Sequence, residues 1–61
     1  MGRYQKAIAA YDATLAIQPD DYKALYRKGL ALHKLGRDQE ALAFFNAALA
    51  INPDLHRGLQ S

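Results

Sequence analysis

The chain has 61 residues and 6.8 kDa, room for one small domain that buries only about 60% of the surface its unfolded form exposes. It has no cysteine, which excludes disulfides, thiolate metal sites and cysteine nucleophiles together. Eight basic and six acidic side chains leave a formal charge of +2, too small an excess to mark a nucleic-acid binder, while 12 alanines, nine leucines and no valine form a helical alphabet.

An internal repeat organises the chain. Gly2–Asp21 and Gly36–Leu55 align at an offset of 34 residues with 11 of 20 positions identical. The first segment, residues 2–19, is predicted to be a helix whose apolar arc holds Ala7, Ile8, Tyr11, Thr14 and Leu15. Pro19 then makes a turn, and Asp20 or Asp21 is expected to cap the next helix, which runs from about Asp21 to Leu35. Leu25, Gly29, Leu32 and Leu35 form its expected inward face. Glycine inside a helix costs roughly 1 kcal/mol relative to alanine, so Gly29 predicts a close approach to a helix bearing small residues, here Ala41 and Ala48.

Gly36 is expected to end this helix in a left-handed conformation, and the short Gly36-Arg37 connector then forces an antiparallel hairpin. Asp38 is the expected cap of the third helix, which Pro53 closes. The apolar arc of that helix, from Ile51 through Ala41 to Leu42 and holding Phe45, Ala48 and Leu49, is about 180° wide and predicts contact with two neighbours. Its nearly apolar run, Ala41 to Ile51, covers 11 residues. Since about 18 are needed to cross a bilayer, no membrane partner is expected, and the expected location is cytoplasmic.

Opposite the inward face of the middle helix, Lys23, Arg27, Leu30 and Lys34 fall within about 60° of one another, flanked by Tyr26 and His33. Basic side chains interleaved with Leu30 and two rings suit an extended acidic segment with apolar anchors. The plain alternative is the solvated face of an amphipathic helix. Lys28 lies near the inward face, where its stem can pack while its ammonium reaches outward. His33 has Gly29 and Arg37 at i−4 and i+4, so no carboxylate is expected beside it. Glu40 has Gly36 and Phe44 at those positions and is expected to face water. Neither a phosphate loop nor an acid–base pair is recognisable, so no catalytic residue, metal or cofactor is expected.

Leu25, Lys28-Gly29 and Leu32, followed by Ala41, Phe45, Ala48 and Pro53, resemble the signature of the tetratricopeptide repeat family. Ala7, Tyr11 and Pro19 match its second half one period earlier. The departures are Leu25 and Leu32 for aromatics, Lys28 for leucine and Thr14 for a small alanine. The resemblance implies an all-α fold, antiparallel helix-turn-helix hairpins forming a fragment of an α-solenoid. In that register residues 2–19 are the second helix of one repeat, 20–53 one full helix pair, and 54–61 the start of a further helix, all within a single fragment, 1–61.

The resemblance further implies a non-enzymatic scaffold that binds a protein or peptide segment along Lys23, Tyr26, Arg27, Leu30, His33 and Lys34. Lys23 and Arg27 also resemble the lysine–arginine pair with which carboxylate-clamp members of the family hold a partner's C-terminus. The alternative reading is structural: uncapped helix faces would stack or exchange helices with other copies of the chain.

Overall fold

A computed structural model of the chain describes residues 2–55, and within them lie three helices and no strand. They are α1 (Arg3–Ile17), α2 (Tyr22–Lys34) and α3 (Asp38–Ile51). Of the expected further helix, residues 54–61, only Asp54 and Leu55 are described; residues 56–61 lie outside the described residues.

The ends of α2 are specified locally. At its start the Asp21 carboxylate accepts hydrogen bonds from the backbone N–H groups of Lys23 (3.1 Å) and Ala24 (3.3 Å), satisfying two donors that have no partner within the helix. At its end Gly36 takes a φ of +82°. The Gly36 N–H donates to the His33 carbonyl and the Arg37 N–H to the Leu32 carbonyl, each at 2.9 Å. This left-handed termination reverses the chain within two residues and sets α3 antiparallel to α2.

The start of α3 differs from the expectation. Arg37, not Asp38, occupies the capping position, and no side chain caps it. Asp38 is instead the first helical residue, where its charge complements the helix dipole together with Glu40. Glu40 does not simply face water. Its carboxylate pairs with the Arg37 guanidinium, including an Nη2···Oε1 contact of 2.8 Å. The partner sits at i−3 rather than i±4.

Helix α2 is the central element. It packs against both α1 and α3, which do not meet each other among the described residues. Leu25, Gly29 and Leu32 are buried as expected, while Leu35 is only half-buried. Ala24 and Ala31 are also buried, on a stripe rotated by one residue toward α1. The expected inward face omitted that stripe because it considered one neighbour where α2 has two. Conversely, α3 uses less of its wide apolar arc than expected: Ala41 and Ala48 are buried, whereas Leu42 and Ile51 are exposed.

At Gly29 the two helices come closest. A Cβ built there would lie 2.6 and 2.7 Å from ring carbons Cε1 and Cδ1 of Phe45, and 3.2 Å from the Ala41 carbonyl oxygen. The close approach that the glycine predicts is therefore met by Ala41 and by the ring of Phe45, with Ala48 buried further along α3. Replacing Gly29 with alanine gains up to about 1 kcal/mol of helix propensity. It also overpacks a rigid ring edge and a backbone oxygen, a cost of about 1–3 kcal/mol. Gly29→Ala is expected to lower stability by about 1–2 kcal/mol in urea denaturation followed by helical circular dichroism. Combining it with Phe45→Leu is expected to cost less than the sum of the two single changes.

Candidate functional site

Two aromatic rings tie the core to the surface. Phe45 lies over Gly29, and the ring of Tyr26 packs on Phe45 with centroids 5.1 Å apart and planes tilted by 47°. This tilted geometry is favourable for aromatic pairs. It holds Tyr26 half-buried at the edge of a surface concavity of about 310 Å³.

One wall of the concavity comes from the first two turns of α2: Tyr22, Lys23, Tyr26 and Arg27. The other comes from Asn52, Asp54 and Leu55, just beyond α3. The Asn52 side-chain oxygen accepts a hydrogen bond from the Asp54 N–H at 3.2 Å, which shapes that second wall as a side-chain-supported turn. Of the six residues expected to recognise a segment, Lys23, Tyr26 and Arg27 are gathered here. Leu30, His33 and Lys34 lie farther along α2, exposed and outside the concavity.

Sequence reasoning missed Tyr22, Asn52, Asp54 and Leu55. Tyr22 had a readable signal, since it lies one helical turn before Tyr26. The other three become neighbours of α2 only once the hairpin closes.

The basic residues of α2 differ in what they already hold. Lys28 is largely buried, its side chain 16% exposed. Its ammonium pairs with the Asp12 carboxylate of α1 and stands 4.3 Å from the centre of the Phe44 ring of α3. A lysine at a position where an apolar residue was expected is thus satisfied by an anion and an aromatic face. The i−4 and i+4 positions of His33 hold no carboxylate, and its partner comes from across the turn instead. Its Nδ1 lies 2.7 Å from Oδ1 of Asp38, five residues later and across the turn. That pair joins the C-terminal end of α2 to the N-terminal end of α3.

Lys23 and Arg27 form no ion pair with any described residue. They are exposed, one helical turn apart, at the mouth of the concavity. A lysine and an arginine in this arrangement can hold one or two carboxylate groups, the guanidinium by a two-pronged hydrogen bond and the ammonium as a point charge. Among the described residues no group of three or more histidine, aspartate or glutamate side chains is placed to hold a metal ion. No described helix is long and apolar enough to cross a membrane.

A family model described as tetratricopeptide repeat matches residues 1–56. No curated protein and no solved structure gives a match to the chain.

The division among the basic residues has a measurable consequence. Lys28→Ala removes an ion pair, a cation–aromatic contact and buried stem packing, and is expected to lower stability by about 1–2 kcal/mol. Lys23→Ala and Arg27→Ala are expected to change it by less than about 0.5 kcal/mol. Thermal denaturation of the three variants under one buffer condition checks this ordering.

Proposed function

The chain belongs to the tetratricopeptide repeat family, whose repeats are typically non-catalytic protein-interaction modules, and on that premise we propose that the concavity on α2 docks an extended acidic segment of a partner protein. The observation that carries this reading is the pair of cations that form no ion pair among the described residues, Lys23 and Arg27, beside Tyr22, Tyr26 and Leu55. The cations supply charge-assisted hydrogen bonds to carboxylates. The two rings and Leu55 supply apolar surface for a neighbouring side chain of the segment. Leu30, His33 and Lys34 extend the same face of α2 and serve residues of the partner beyond the concavity.

The lysine–arginine pair resembles that of the carboxylate-clamp members of the family, which favours a segment ending in a free C-terminus. The asparagines that complete such a clamp come from other repeats, so the reading here rests on the pair alone. Residues 20–53 then act as one full helix pair, with 2–19 the second helix of a preceding repeat.

A second reading, assembly of the chain with copies of itself, is favoured by one observation: Leu42 and Ile51 are exposed on α3.

The leading reading is tested by titrating acidic peptides with free and amidated C-termini against the protein. Lys23→Ala and Arg27→Ala are each expected to weaken binding by about tenfold, the lower end for hydrogen bonds to charged groups. Amidation is expected to weaken it further when the terminal carboxylate is the group held. Affinities unchanged by both substitutions would remove the concavity as the binding site.

A further inference from the structure

The repeat allows two surfaces of one molecule to be compared. Among the described residues α1 has α2 as its only neighbour, so its half-buried positions, Ala7, Ile8, Tyr11 and Leu15, mark the face it lays on α2. Asp12 adds the ion pair to Lys28. Thirty-four residues later the same register holds Ala41, Leu42, Phe45 and Leu49, with Asn46 in the place of Asp12. Ala41 and Phe45 are engaged by α2 of the same chain at Gly29. Leu42 is not: it is 58% exposed, and Asn46 is exposed beside it.

We propose that the outward face of α3, through Leu42, Asn46 and Leu49, docks α2 of a second copy of the chain, in competition with that copy's own α1. The inference rests on the self-assembly reading and adds to it the two surfaces, their register and the residue that restrains them. The surface taken on α2 is the stripe of Ala24, Lys28 and Ala31, whose central residue already reaches α1. The occupant is identified by the interface inside the molecule, because α2 already binds this register of residues when α1 presents it.

Helix α1 is the element most easily displaced from that stripe. It has no buried residue, no side-chain hydrogen bond at its N-cap, no acidic residue in its first turn and no basic residue in its last. What retains it is its covalent connection, which gives it a high effective concentration, together with the Asp12 carboxylate facing Lys28. In the intermolecular arrangement Lys28 meets the carboxamide of Asn46, an acceptor without the charge. The single difference between Asp12 and Asn46 therefore biases Lys28 toward its own chain. Since α3 of one copy meets α2 of the next, the contact is head-to-tail and propagates as a stack instead of closing as a two-fold dimer.

Sedimentation velocity at rising concentrations, up to millimolar, tests this with the full chain. Asn46→Asp gives α3 the missing carboxylate and is expected to tighten association by about twofold to fivefold, the range of an exposed ion pair. Asp12→Asn is expected to tighten it similarly by loosening α1. Leu42→Lys is expected to abolish association while leaving the melting temperature of the monomer unchanged, because Leu42 is exposed. Wild type and variants that stay monomeric throughout overturn both this inference and the self-assembly reading. Association indifferent to Asn46→Asp and Leu42→Lys overturns this inference and leaves that reading standing. A monomer whose melting temperature falls on Leu42→Lys also overturns it, because the chain then covers α3 with its own residues.

Discussion

The close approach of α2 and α3 at Gly29 is the contact on which the rest of the hairpin depends. Among the described residues no large side chain is fully buried, and the buried set is Ala24, Leu25, Ala31, Leu32, Ala41 and Ala48 with Gly29. A core of so many small residues gains its dispersion energy by bringing backbones together rather than by filling space with large side chains. The bare Cα of Gly29 lets the Phe45 ring settle against α2. That ring in turn supports Tyr26, which lines the concavity. One line of contact therefore runs from the tightest point of the core to the candidate binding surface.

Lys28 solves a second constraint set by the same packing. Helices α1 and α3 do not touch, so whatever links all three must lie on α2. Lys28 does so by placing its ammonium between a carboxylate of α1 and an aromatic face of α3. Each contact is worth little by itself, yet together they satisfy a charge that burial would otherwise penalise. The arrangement also separates structural from available charge along one helix. Lys28 and His33 hold acids of the chain itself, while Lys23 and Arg27 hold none among the described residues. Only cations in the second condition can meet a partner's acid without first breaking an internal pair.

The periodicity of the sequence was enough to read the three helices, an aspartate cap at Asp20 or Asp21, the left-handed Gly36 and the need for space at Gly29, because each depends on residues within a turn or two. The features it did not reveal depend on longer-range geometry. Ala24 and Ala31 gave no signal because alanine is as common on a solvated helix face as in a core. The His33–Asp38 pair spans a reversal of the chain, where helical spacing rules do not apply. Three of the seven residues of the candidate site were legible in the same way: Lys23, Tyr26 and Arg27 lie on one helix face. Asn52, Asp54 and Leu55 reach that face only because the hairpin folds the end of α3 back to the start of α2.

Equivalent positions in the two copies also show that repeat register alone does not decide environment. Ile8 is half-buried and its counterpart Leu42 exposed; Thr14 is exposed and its counterpart Ala48 buried. In a linear repeat each position's burial is set by its nearest neighbours, so the same register reads differently with α2 on one side or on the other. The end of α3 also adjoins the groove on α2. Ile51, exposed at the end of α3, directly precedes Asn52, Asp54 and Leu55, which form the second wall of the groove. Ile51 lies about 180° around α3 from Leu42, so a partner covering it would bear on the segment that faces Lys23 and Arg27 separately from the proposed docking face.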